Sequence, residues 1–313
     1  MQYIGELREG ERLGEVYFCK SKNILKTKAG KSYYSLMLQD RTGSLDGKVW
    51  EITNGIEHFE AMDYIYVEGH ITSFQGTLQA NISRIRKCQE GEYDPEEYMP
   101  CTKKDKDAMF EELLGFVKSV KETNLRKLLE SFFVEDAEFI KMFKGHSAAK
   151  SVHHGFIGGL LEHTLGVTRL CDYMAGAYPV LNRDLLIAAA IFHDIGKVRE
   201  ISAFPENDYT DDGQLLGHIY MGAEMIGERV REIDGFPVVL ANQLKHCILS
   251  HHGELEYGSP KKPALAEAVA LNFADNTDAK MQTLTEIFEK SGDAKGWLGF
   301  NRLFDSNIRK TDI

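Results

Sequence analysis

The apolar pattern of this 313-residue chain changes its period once, and that change sets the fold class. Up to about residue 90 it repeats every second residue. In "KSYYSLMLQD", Tyr34, Leu36 and Leu38 share one face and Tyr33, Ser35 and Met37 the other. "LDGKVW" puts Leu45, Gly47 and Val49 in phase, with Asp46, Lys48 and Trp50 opposite, and "YIYVEGHI" turns Ile65, Val67, Gly69 and Ile71 inward. "RTGS" and "SFQGT" are turn signals, and "LQANISRI" is a further strand. About five short strands in this span predict a small all-β closed barrel over residues 1–90.

From Met109 the spacing becomes three and four. "MFEELLGFVKSV", "LRKLLESFF", "RDLLIAAAIFHDIGK", "IYMGAEMIGERVREI", "VVLANQLKHCILSHHGE" and "PALAEAVALNFADNTDAKM" each predict a helix, so residues 109–290 form an all-α domain. Residues 91–108, charged and with two prolines, read as a linker. Residues 291–313 carry Trp297, Phe300 and Phe304 and read as a docking tail, packing within the chain or across the interface of a homo-oligomer.

Hydrophobic residues make up 43% of the chain, which suits a soluble protein of about two domains. The start lacks the basic and apolar regions of a signal peptide, and no apolar run approaches the roughly 18 residues that cross a bilayer. Five scattered cysteines without a CxxC pair point to reduced thiols and a cytoplasmic location, with no membrane partner. The net charge of −11 speaks against nucleic acid as a partner. Residues 1–90, however, balance 12 basic against 12 acidic residues, so the whole deficit lies further on. There it suits a protein that gathers divalent cations.

"AAAIFHDIGKVREI", residues 188–201, sets His193 beside Asp194 at the end of an apolar run. His163 lies in "GLLEHTLGV", His218 in "LLGHIYMG", His251 and His252 in "LSHHGE", and Asp275 in "NFADNTDAK". Each group falls at or near the end of a separate apolar helix, and such ends converge in bundles that hold two metals. Imidazoles and carboxylates without thiolates suit Mn, Fe, Zn or Co rather than a structural zinc cage. Neighbours on a helix project about 100° apart. His193 and Asp194 therefore reach one ion only near a helix end, which Gly196 offers. His58, His70 and His146 read as ordinary structural or surface histidines.

The order H…HD…H…HH…D, with "HDIGK", resembles the HD superfamily of metal-dependent phosphohydrolases over about residues 150–280. The resemblance implies that His163, His193, Asp194 and Asp275 bind a first divalent ion. Asp194 would bridge to a second ion held by His218 and His251, with His252 nearby. Mn is the first choice of metal, with Fe, Co, Zn or Mg as alternatives. It also implies catalytic roles for Asp194, for Lys197 against the substrate phosphate, and for His252 (or His218) as proton donor to the leaving oxygen. The bland alternative for Lys197 is a helix-terminal cation held by the dipole.

The first ninety residues are similar to an OB-fold of the nucleic-acid-binding type, over about residues 12–88. Such barrels stack bases on aromatics beside a basic groove. Tyr33, Lys48 and Trp50 share the outward face, Phe74 lies in a turn, and Lys22, Lys26 and Lys28 belong to a lysine run that also includes Lys20 and Lys31. An OB-fold followed by an HD domain resembles the YhaM, or CMP-binding-factor, family of bacterial 3′→5′ exoribonucleases. "HDIGK", "GHIYMG" and "LSHHGE" carry the match. The resemblance implies a Mn-dependent cytoplasmic enzyme of RNA turnover that shortens single-stranded RNA and DNA to nucleoside monophosphates. Its rivals are a cyclic-dinucleotide or nucleotide phosphohydrolase and a non-catalytic single-strand-binding replication factor. The first lacks its GYP triplet after "HHGELEY", and a nucleotide phosphohydrolase has little use for a barrel. The intact ligand pattern speaks against the third.

Overall fold

The computed structural model describes residues 1–150 and 154–311. They form two compact units, one of Met1–Cys101 with Phe204–Glu206 and one of the remainder.

The first unit is a closed five-stranded barrel. Its strands are β1 (Arg12–Lys26), β2 (Ser32–Asp40), β3 (Gly43–Val49), β4 (Tyr64–Phe74) and β5 (Thr77–Lys87), in the spatial order β1-β2-β3-β5-β4. Neighbours pair antiparallel except β3 and β5, whose parallel pairing closes the barrel. The alternation read from the sequence is the alternation of the fold. Leu36, Leu38, Leu45, Val49, Ile65, Val67 and Ile71 are buried in one core, and Gly47 leaves room for the Ile82 side chain. The segment read as a linker begins differently. Tyr93 stacks on Tyr64 with ring centroids 3.7 Å apart, and Tyr98 and Met99 are buried. These aromatics extend the barrel wall before the chain is released.

The second unit is helical, with α1 (Lys106–Ser119), α2 (Thr123–Phe133), α3 (Ala137–Gly145), α4 (Gly159–Ala177), α5 (Arg183–Phe192), α6 (Lys197–Glu200), α7 (Asp211–Glu232), α8 (Val238–Ser250) and α9 (Ala266–Lys290). A barrel followed by a helical domain is the fold class the two periods predict. α5 is its axis. Asn182 caps it by accepting the Leu185 N–H, and every residue from Leu185 to Phe192 is buried. Ala188, Ala189 and Ala190 keep it thin enough for α4, α8 and α9 to pack around it. Phe192 fixes its C-terminal end against Phe132, edge-on at 5.3 Å. The next residue, His193, is the C-cap.

The terminal segment folds as a hairpin, β6 (Trp297–Asn301) with β7 (Ser306–Arg309). Trp297 and Phe300 stay exposed on it, while Phe304 is half-buried. Among the described residues no helix is long and apolar enough to cross a membrane, and the five cysteines are free thiols.

Candidate metal centre and nucleic-acid face

Five helices deliver the histidine and carboxylate groups to one place. α4 brings His163, the end of α5 brings His193 and Asp194, α7 brings His218, the end of α8 brings His251 and His252, and α9 brings Asp275. Asp194 stands between two sets of ligands. Its Oδ2 lies 3.3 Å from His193 Nε2 and 3.5 Å from His163 Nε2. Its Oδ1 lies 3.5 Å from His218 Nε2 and 3.7 Å from His251 Nε2. On the first side, His163 Nε2 is also 3.1 Å from Asp275 Oδ1, and the ligand atoms of His163, His193 and Asp275 fall within 4.8 Å of one another. On the second side the same holds for His218, His251 and His252. The structure thus brings every sequence-assigned ligand together and moves His252 from the margin into the second set.

The five imidazoles are presented alike. His193, His251 and His252 each turn Nδ1 to a backbone carbonyl, of Ala190 at 2.8 Å, Ile248 at 2.7 Å and Tyr257 at 2.8 Å. His163 Nδ1 lies 2.7 Å from Asp278 Oδ2, and His218 Nδ1 lies 2.9 Å from Glu200 Oε1. Each ring therefore donates from Nδ1 and aims Nε2 at the centre, the arrangement found around bound metal. Asp194 Oδ1, His218 Nε2 and His251 Nε2 are buried without a hydrogen-bond partner. Leaving such groups unpaired costs about 1–3 kcal/mol each, which an ion at that point would relieve. The donor set is imidazole and carboxylate only, so it fits borderline or hard divalent ions.

The electrostatics agree with two differently poised halves. Burial, with the neighbouring His252 and His193, drives His251 well below the usual histidine range, and burial with His218 lowers His252. Both are held in the neutral form, the form in which an imidazole can bind a metal. Burial opposes the charged form of His163 too, but its bonds to Asp275 and Asp278 outweigh it and raise the ring to about 10. Burial also works against the Asp194 carboxylate, and Lys197 and His193 overcome it and hold Asp194 well below the carboxylate range.

Lys197 departs from the dipole reading of the sequence. It is the first residue of α6, where the dipole disfavours a cation, and its Nζ lies 2.7 Å from Asp194 Oδ2. Gly196 lies in the turn between α5 and α6, as a helix end requires, but with right-handed backbone rather than the left-handed conformation that favours glycine. A Cβ there would lie 2.0 Å from the His218 carbonyl oxygen and 2.6 Å from Gly222 N, so Gly196 is the contact that lets α7 approach. α7 itself is broken at Gly217, whose φ of 73° only glycine adopts readily. The break frees the His218 N–H to donate to Glu200 Oε1 at 2.9 Å.

Glu200, Asp278 and His154, whose Nε2 lies 3.1 Å from Asp278 Oδ2, carry the outer contacts and were not singled out from the sequence. The one available signal was "DNTD", which puts Asp275 and Asp278 three apart on one helical face. His146, read as ordinary, is a buried histidine bonded to the Ser147 and Ile201 carbonyls. A cavity of about 630 Å³ opens over His163, Asp194, Lys197 and His252, with Asn276 and Lys280 of α9 on its wall and Leu303 of the hairpin beside them. That volume is in the range of small-molecule pockets.

On the barrel, Tyr33 and Trp50 stack on each other at 4.7 Å on the outer face of β2 and β3. Lys48 Nζ sits 2.7 Å from both Ser35 Oγ and Asp46 Oδ1 on the same face. Phe74 is 61% exposed at the β4–β5 turn, and Lys26 and Lys28 are exposed at the β1–β2 end. Lys22 does not join them. A register shift between Cys19 and Ser21 places it opposite Leu36, an inward position. Its Nζ packs 4.4 Å from the Phe59 ring centroid and bonds the Phe59 carbonyl, so it closes the barrel end.

A protein-family model for the HD domain matches residues 160–280. The chain is 34% identical over 264 residues to the 3′-5′ exoribonuclease YhaM of Listeria innocua, across 83% of this chain and 82% of that protein. It is 33% identical over 285 residues to the 3′-5′ exoribonuclease YhaM of Bacillus subtilis, across 90% of this chain and 89% of that one. Among solved structures, the second OB-fold domain of replication protein A from Methanococcus maripaludis is similar at 23% identity and a TM-score of 0.22, covering 29% of this chain and 98% of that one. With an HD domain carrying the convergent histidines and carboxylates, and similarity along most of its length, the chain belongs to the YhaM family of 3′-5′ exoribonucleases.

Proposed function

We propose that this protein is a cytoplasmic, Mn-dependent 3′→5′ exoribonuclease that hydrolyses single-stranded RNA, and single-stranded DNA as a second substrate, to nucleoside 5′-monophosphates. The observation that carries this reading is Asp194, which offers one carboxylate oxygen to each of two histidine sets. His163, His193 and Asp275 would hold one divalent ion and His218, His251 and His252 the other, with Asp194 shared. Such a pair of ions, when bound, supplies an activated water and offsets charge on the phosphate oxygens.

The remaining work falls to the protein. Lys197, on the cavity wall, is placed to exchange Asp194 for a substrate phosphate oxygen and so to offset developing charge. His252, lowered by burial, is a poor proton donor at neutral pH, so we assign it to the second ion rather than to the leaving oxygen. Asn276 and Lys280 offer polar contacts to a terminal nucleotide in the cavity. Tyr33 and Trp50 on the barrel supply the stacking surface for upstream bases, with Lys48 and the exposed Lys26 and Lys28 for phosphates.

The test is direct. 5′-labelled single-stranded RNA and Mn²⁺ are incubated with the wild-type protein and with Asp194→Ala. A ladder shortening from the 3′ end to mononucleotide, absent in the variant, is the expected result. Intact RNA with wild-type protein, or first products longer than mononucleotides, would overturn the reading.

A further inference from the structure

Two of the imidazoles at the centre differ from the other three. His193, His251 and His252 rest Nδ1 on carbonyls of their own neighbourhood, which any helix end or turn can supply. His163 and His218 instead rest Nδ1 on carboxylates, Asp278 and Glu200, that come from other elements. One of these histidines belongs to each ligand set. The match is one outer carboxylate for each half of the site.

Each carboxylate is held by features with no other evident purpose. For Asp278, a Cβ at Gly166 would lie 2.1 Å from Oδ1, so the absence of a side chain one turn beyond His163 is what admits the carboxylate. Asp275 and Asp278 lie one turn apart on α9 and clasp the two nitrogens of the same ring, Asp275 at Nε2 and Asp278 at Nδ1. His154, on the same Asp278 oxygen, fixes the carboxylate from a third side. For Glu200, one oxygen takes both the His218 ring N–H and the His218 backbone N–H, the latter released by the break at Gly217.

We infer that Asp278 and Glu200 are paired positioning residues, one for each metal ion, Asp278 fixing the tautomer and aim of His163 and Glu200 those of His218. This inference rests on the two-ion reading above. Outer partners of this kind fix the ring orientation and raise its donor strength, and their loss costs about 10–100-fold in metal affinity.

The experiment titrates Mn²⁺ alone into the full-length protein, with the free ion followed by electron paramagnetic resonance and metal-free folding checked by circular dichroism. Wild type is expected to bind two ions. Asp278→Asn and Glu200→Gln keep the shape and remove the charge, and each is expected to weaken one ion about 10–100-fold and spare the other. The double variant should weaken both. Gly166→Ala should reproduce the Asp278→Asn defect in a folded protein, and should add nothing in an Asp278→Ala background, where the space is already free. A general structural role would not produce this one-ion-each pattern. Unchanged affinities in both single variants would overturn the inference while leaving the two-ion reading intact. So would three ions in wild type falling to two in Asp278→Asn, which would make His154, His163 and Asp278 a metal site themselves. Fewer than two ions in wild type would sink the two-ion reading and this inference with it.

Discussion

Lys197 Nζ lies 2.7 Å from Asp194 Oδ2, the oxygen that also faces His163 and His193. Lys197 is thus the counter-ion of a carboxylate only 2% exposed. Removing one partner of a buried pair costs about 3–5 kcal/mol, reduced here because the lysine side chain keeps some solvent contact. Lys197→Met should therefore lower metal-free stability by about 2–3 kcal/mol, and saturating Mn²⁺ should restore most of it because bound ions take over the neutralisation. Urea unfolding with and without Mn²⁺ measures this. An equal loss under both conditions would mean that Lys197 serves only packing.

Metal binding should expel a proton. His163 is raised to about 10, so at neutral pH it carries a proton on each nitrogen, and an ion at Nε2 must displace one. Affinity for the first ion should rise with pH up to that value and fall as pH drops. Calorimetry at pH 7.5 in two buffers of different ionisation enthalpy should report release of about one proton per chain at the first site. Heats independent of the buffer would contradict it.

Two glycines should respond in opposite directions to the same change. Gly196→Ala drives a methyl into the His218 carbonyl and should cost about 1–3 kcal/mol. Gly115→Ala meets nothing within 4 Å on the exposed side of α1 and should stabilise by about 0.5–1 kcal/mol. Thermal unfolding of both variants decides, and a neutral Gly196→Ala would show that α6 and α7 can separate freely.

RNA affinity on the barrel should depend on Tyr33 and Trp50 and not on Lys22. With an Asp194→Ala background to prevent cleavage, Trp50→Ala should weaken binding of oligo(A) by about 1–3 kcal/mol, the worth of one stacked base. Lys22→Met, which keeps the packing on Phe59, should bind within twofold of the parent. Fluorescence anisotropy distinguishes the two, and a larger loss from Lys22→Met would reverse the assignment.

Much of this was legible in the sequence because periodicity is local. Alternation at Leu36, Leu38, Leu45 and Val49 needs only a pleat, and the run from Leu185 to Phe192 with three alanines needs only a crowded centre. His193 and Asp194 stood out because a core helix does not otherwise put them side by side. What stayed hidden depends on partners distant in sequence. Glu200 and Asp278 look like surface acids until the folding of α7 and α4 brings His218 and His163 to them. Lys22 looked available because one bulge in β1 inverts its facing, and no alternation pattern announces a bulge. Gly196 lies in the turn between α5 and α6, but its close approach to the α7 backbone is visible only once α7 is in place.

The central claim, that Asp194 joins two ions through its two oxygens, is tested most directly by anomalous diffraction from crystals of the full-length protein grown with Mn²⁺. Two peaks about 3.5–4 Å apart are expected, one beside Asp194 Oδ2 with His163, His193 and Asp275, the other beside Oδ1 with His218, His251 and His252. A single peak chelated by both Asp194 oxygens, or two peaks that do not share Asp194, would contradict the account.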